Sequence, residues 1–247
     1  MAKPILYIFA ISHFCEKARW ALDYLQIDHQ LVYLPPGPHA IWAKRSGLAS
    51  STLPILKIKD RLIQGSDQII DWAESVTGSE QSLTPEAYRD ECLQLEKRLD
   101  KISGVHTRRM FYSEALVEHS ADVRKIFTHN LSAPKRLFVS AIWPLIRQSM
   151  IKSMDLGRAQ AGESKVVLAG ELAWLDDMLA DGRRFLVGDS LSRADITASG
   201  LYARLASIGA HPAVTPLRLP PRTEAIAQEW KMRPFLGWVR KNYSEFR

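Results

Sequence analysis

The chain has only two cysteines, Cys15 and Cys92, in 247 residues. Two thiols make no disulfide framework, and so few suit a reducing compartment. No apolar run approaches the roughly 20 residues that a bilayer span requires. The short apolar run behind Lys3 meets Glu16, Lys17 and Arg19 too soon to be a secretory signal. Repeats and low-complexity segments are missing too. The seven histidines form no pair at metal-ligand spacing on a shared face, so no metal is expected. An excess of one charge is nearly missing: the net charge of +6 is modest for this length and requires no nucleic-acid partner. That excess lies wholly beyond residue 80, because residues 1–80 carry 8 basic and 8 acidic side chains. What is present is ordinary globular composition, 46% hydrophobic and 24% charged. The length allows one large domain or two smaller ones with their own cores. A soluble, cytoplasmic protein without nucleic-acid or membrane partners is the expectation.

The stretch Ser12-His13-Phe14-Cys15-Glu16-Lys17-Ala18-Arg19-Trp20 stands out chemically. It follows an apolar run, Ile5–Phe9, that reads as a buried strand. It opens a helix whose apolar positions, Phe14, Ala18, Leu22 and Leu25, recur at helical spacing. Ser12 suits the N-cap, since its hydroxyl accepts from an otherwise unpaired backbone N–H. Cys15 then falls in the first turn, near the positive end of the helix dipole. A thiolate is stabilised there, whether it belongs to Cys15 or to a ligand lying over Ser12. The plain alternative is a cap and a small buried hydrophobe.

Gln30–Leu34 reads as a second strand, so strand, helix and strand within some thirty residues form a βαβ unit with parallel pairing. Residues 39–47 read as a short helix, and Leu53–Ile58 with Leu62-Ile63 as a hairpin about Lys59-Asp60-Arg61. A further helix runs from Gln68 to Val76. The order βαβαββα is that of a thioredoxin-like domain.

Four segments of this region resemble the N-terminal domain of glutathione S-transferases, bacterial members above all. They are Cys15 to Leu22, Leu34 to His39, Thr52-Leu53-Pro54, and Ser66-Asp67-Gln68-Ile69, in order and at matching spacing. The resemblance implies a thioredoxin-like domain over 1–80 joined to an all-helical domain over 86–247, with Leu83-Thr84-Pro85 as linker. Helical segments read at 88–103, 105–112, 121–131, 133–154 (Pro134 in its first turn, Pro144 kinking it), 164–179, 223–232 and 234–243 agree with that. Gly104 is expected to weaken a helix without ending it. Ser192 and Asp195 read as a capping box, flanked by Leu191 and Ile196 as a hydrophobic staple. Pro212, Pro216, Pro220 and Pro221 read as a rigid connection.

The resemblance also implies an activity: attack of the glutathione thiolate on a small apolar electrophile held between the domains, in a homodimer. Glutathione would be the co-substrate. Ser12 takes the position that stabilises its thiol, and Cys15 is a secondary thiol candidate. Pro54 resembles the family's cis-proline, with Leu53 offering backbone groups to the cysteinyl portion. Ser66 resembles the residue that holds the γ-glutamyl carboxylate at a helix N-terminus, with Asp67 beside it. Most relatives carry Glu or Asp before that serine, where this chain has Gly65. Lys44 or Arg45 is the candidate for the glycine carboxylate, and Arg108, Phe111 and Tyr112 for the electrophile pocket. Tyr7 is a rival thiol donor. His13 and His39 are expected to be solvated or structural. Two other readings stay open: a non-catalytic binding protein of the same fold, and a thiol–disulfide oxidoreductase that uses Cys15.

Overall fold

The computed structural model describes residues 3–78, 82–208 and 219–247. Its first third is built on a four-stranded mixed sheet in the order β2-β1-β3-β4. β1 (Ile5–Ile8) pairs in parallel with β2 (Gln30–Tyr33), Leu6 opposite Leu31. It pairs antiparallel with β3 (Ile55–Ile58), Leu6 opposite Leu56, and β3 forms the hairpin with β4 (Arg61–Gln64). Helices α1 (His13–Tyr24), α2 (Pro38–Arg45) and α3 (Ser66–Thr77) complete the βαβαββα order. The βαβ unit, hairpin and following helix were all expected, and this is a thioredoxin-like domain. Leu6, Ile8, Ile55, Leu56, Ile69 and Ile70 are buried between sheet and helices, each contributing about 1.5–3 kcal/mol of hydrophobic stabilisation.

From Glu86 the described residues are helical: α4 (Arg89–Leu99), α5 (Val105–Glu118), α6 (Ser120–Thr128), α7 (Ala133–Ala141), α8 (Trp143–Ser153), α9 (Arg158–Met178), α10 (Arg193–Tyr202), α11 (Pro221–Trp230) and α12 (Pro234–Phe246). Asp100–Gly104 forms a π-helical turn that carries α4 into α5 without a break. Gly104 there sits against α1, and a Cβ on it would lie 2.7 Å from the Phe14 ring. Three expectations need correction. α5 runs to Glu118, six residues past the expected end at Tyr112, because Ser113 and Glu114 interrupt the apolar pattern yet are buried with hydrogen-bond partners. Residues 133–154 are two helices, because Pro144 falls in the first turn of α8, where its missing N–H is harmless, and so starts a helix instead of kinking one. α9 begins at Arg158, six residues before the expected start, because its first turns are largely exposed and lack an apolar stripe. Pro220 and Pro221 start α11; Pro212 and Pro216 lie outside the described residues.

The capping box is present in full. Asp195 accepts the Ser192 N–H (2.8 Å) and hydroxyl (2.6 Å) and the Leu186 N–H (2.7 Å), while Ser192 Oγ accepts the Asp195 N–H. Burial is the largest influence on this carboxyl and pushes it up to about 6, against those hydrogen bonds. A carboxyl whose folded value exceeds its unfolded one stabilises the fold when protonated, and loses that contribution as pH rises through the folded value. The native protein should therefore gain on Asp195→Asn by about 2–3 kcal/mol as pH is lowered from about 6 to about 4. Parallel denaturant titrations of the two proteins check this, and a constant difference across that window would refute it.

Candidate active site

Ser12 is held extended (φ −82°, ψ 120°) just before α1. Its N–H donates to Phe9 O at 3.2 Å, and its hydroxyl oxygen accepts the Cys15 N–H at 3.3 Å. A hydroxyl that accepts in this way retains its proton for donation elsewhere. Ser12 lines a cavity of about 580 Å³ between the thioredoxin-like domain and the helical region. Cys15 is different: it is 2% exposed and off the cavity wall. Burial pushes its thiol up to about 12, outweighing the Ser12 hydrogen bond that pulls the other way. At neutral pH that thiol is protonated and packed.

Leu53, joined to Pro54 by a cis bond, lines the cavity together with Ser51 and Thr52. The segment is pinned from β4, where Gln64 Nε2 donates to Ser50 O at 3.0 Å and Thr52 O at 2.8 Å. The Gly65 N–H donates to Pro54 O at 3.1 Å, so the start of α3 is tied to the same turn. Ser66 is buried as the first residue of α3, and the helix has no side-chain cap, which leaves its leading N–H groups for another acceptor. Gly65 has φ +104°, a region that favours glycine, and a Cβ there would lie 2.7 Å from Asp67 Oδ1. The Asp67 carboxylate thus sits beside position 65.

From the helical side, α5 contributes Thr107, Arg108, Phe111 and Tyr112 to the cavity, and Arg204 enters just past α10. Burial pushes the Tyr112 phenol up, against the opposing pull of Arg204 and Arg108. Of the residues expected at the site, the cavity therefore brings together Ser12, Leu53, Arg108, Phe111 and Tyr112. Ser66 and Asp67 sit at the adjoining start of α3. Lys44 and Arg45 are exposed in the last turn of α2, off the wall; Ala40, one turn before Lys44, is on it. Tyr7 packs on Trp42 with ring centroids 4.7 Å apart and does not line the cavity.

The cavity wall also holds residues not named for the site, Arg204 and Thr107 among them, and two near it that read as solvated or structural. His13 and His39 both line it, and burial pushes the His39 imidazole down to about 4, so it is neutral at pH 7. Arg204 belongs to none of the motifs read in the sequence, although a cation inside the apolar run Leu201-Tyr202-Ala203-Arg204-Leu205-Ala206 is a signal in itself. Elsewhere, Glu114, Glu118 and His119 bring possible metal-ligand atoms within 4.8 Å of one another. Glu114 already accepts the Arg222 and Thr223 N–H groups at the start of α11, and Glu118 accepts the Arg222 guanidinium. Glu114 thus caps α11, and Glu118 is an ion-pair partner of Arg222. Among the described residues, no helix is long and apolar enough to cross a membrane.

The chain thus joins a thioredoxin-like domain, whose first helix starts at the cavity wall, to a helical region that lines the same cavity. Residues 6–81 match the family model described as glutathione S-transferase, N-terminal domain. The fold of the whole chain is similar to glutathione transferase GSTFuA3 from Phanerochaete chrysosporium (14% identity over 96% of this chain and 98% of that one, TM-score 0.62). It is also similar to glutathione transferase F2 from Populus trichocarpa (12%, 98% and 93%, TM-score 0.64). A third likeness is to the β-etherase LigF from Sphingobium sp. strain SYK-6 (16%, 97% and 99%, TM-score 0.58). No curated protein matches the chain. Residues 6–81 thus match the N-terminal domain of the glutathione S-transferase family, and the chain has the glutathione transferase fold.

Proposed function

We propose that the protein is a glutathione transferase that joins the glutathione sulfur to a small apolar electrophile. The observation that carries this reading is Ser12: a hydroxyl with a proton to give, at the positive end of α1, on the wall of the cavity. Donating to the glutathione sulfur, it favours the thiolate, which is the nucleophile. The thiolate forms the new carbon–sulfur bond; the electrophile's leaving group departs, or its double bond takes up the electron pair. The cis-Pro54 turn supports placing the cysteinyl portion against Leu53 backbone groups. The uncapped start of α3 at Ser66 suits the γ-glutamyl carboxylate. Asp67, beside position 65, takes the γ-glutamyl ammonium in place of the acidic residue that Gly65 replaces. Lys44, on the helical face of Ala40, reaches for the glycine carboxylate.

Calorimetric titration of the intact protein with glutathione tests the reading directly. Saturable binding that weakens in Asp67→Asn is expected; no binding at millimolar glutathione would overturn it in favour of a non-catalytic binding protein. Gly65 is the feature that favours that second reading. The oxidoreductase reading has the buried, protonated Cys15 thiol against it. The transferase reading includes a two-fold homodimer, and sedimentation at micromolar concentration checks it.

A further inference from the structure

Buried arginines elsewhere in this fold are paired. Arg193 Nε meets Glu96 at 2.7 Å, and Arg247 Nε meets Glu16 at 2.7 Å. Arg108 and Arg204 are built otherwise. Both line the cavity, and no Asp or Glu lines it with them among the described residues. Arg108 Nε has no hydrogen-bond partner there. Arg204 is fixed by donation from Nη2 to Ile11 O at 2.9 Å and lies over the Phe111 ring, 5.0 Å from its centroid. Burial lowers both guanidinium pKa values. Thr107, on the same wall, is buried with Oγ1 lacking any partner. Unpaired charge and unsatisfied hydroxyl oxygen are costly when withdrawn from water. Arg108, Arg204 and Thr107 all line one open volume next to apolar surface, which is how a binding site is arranged for an anion with an apolar body.

We infer that Arg108, Arg204 and Thr107 form an anion subsite, and that the cavity takes an aromatic or otherwise apolar organic acid, its carboxylate or sulfonate on the guanidiniums and its body against Phe111. As a statement about the electrophile this rests on the transferase reading: the substrate class becomes apolar electrophiles that carry an acidic group remote from the reacting carbon. As a statement about binding it stands alone.

The test uses two fluorescent probes that share one skeleton, 8-anilinonaphthalene-1-sulfonate and the neutral N-phenyl-1-naphthylamine, titrated into the intact protein without glutathione. The native protein should bind the sulfonate at least about tenfold more tightly, the factor one charge-assisted hydrogen bond supplies. Arg108→Gln should bring the two affinities within about threefold of each other. Arg108 ties no other element of the fold, so this variant should keep the native unfolding temperature; Arg204→Gln is the second variant. Lys135→Gln, an exposed cation on α7, should leave the preference unchanged. Equal affinities in the native protein, or a preference that survives both arginine variants, would overturn the inference. Displacement of the sulfonate by saturating glutathione would overturn it too, assigning the arginines to the peptide's own carboxylate. Because the probes need no glutathione, failure here leaves the transferase reading intact, and failure of glutathione to bind leaves this inference intact.

Discussion

Replacing Ser12 by alanine should slow conjugation at neutral pH by about ten- to a hundredfold, because one hydrogen bond to a charged group is worth roughly 1.5–3 kcal/mol. Glutathione affinity should fall much less, since the backbone of Leu53 and the start of α3 hold the rest of the peptide. The two effects separate because the serine proton acts on the ionised sulfur, which is formed fully only for attack. The apparent pKa of bound glutathione should rise in step with the loss of rate, and a pH–rate profile reads it. Cys15→Ser is the companion variant. The Cys15 thiol is pushed up to about 12 and is buried, so it supplies no thiolate at neutral pH, and its conjugation rate should stay within about threefold of native. An unaffected Ser12→Ala together with an inactive Cys15→Ser would replace the transferase assignment with cysteine redox chemistry.

Most of what places Ser12 is local, and local signals are legible in a sequence. The cap lies three residues before the N–H it accepts, the βαβ unit closes within some thirty residues, and the hairpin is marked by its polar turn. The same holds for the Ser192–Asp195 box, whose partners are three residues apart. What was not legible is set by distant packing. The cavity wall opposite Ser12 comes from α5 and from Arg204, 2.9 Å from Ile11 O although far along the chain. His39 reads as a polar residue in a short exposed helix until its ring is found edge-on to Phe9, with centroids 4.7 Å apart. Pro144 is ambiguous for a different reason: proline in a helical pattern either bends a helix or starts one, and only the turn at Ile142 decides it. Lys17 and Glu96 each read as an ordinary charged helical position. Their partnership joins two domains and leaves no mark in the neighbourhood of either.

That partnership should dominate stability. Lys17, on α1, has a fully buried side chain, and its Nζ lies 2.8 Å from Glu96 Oε1 and 2.7 Å from Asp100 Oδ2. Glu96 Oε2 lies 2.7 Å from Arg193 Nε, and Arg193 Nη1 reaches Asp71 on α3 at 2.5 Å. Glu96 is thus the hub between two buried cations, and the network ties α1 and α3 of the thioredoxin-like domain to α4 and α10. Removing one member of such a set leaves an uncompensated buried charge, at a cost of about 3–5 kcal/mol. Glu96→Gln and Lys17→Met should each lower stability by that amount, a drop of roughly 10 °C in midpoint for a chain of this size. In Lys17→Met the Asp100 carboxyl, which burial already raises against the pull of Lys17, loses that pull and rises further. The double variant Lys17→Met/Glu96→Gln removes a cation and an anion together, so its loss should be clearly smaller than the sum of the single losses. Denaturant titrations of the four proteins measure the coupling. Single losses under about 1 kcal/mol, or a strictly additive double, would mean that the network is screened as a surface pair is and contributes little to joining the domains.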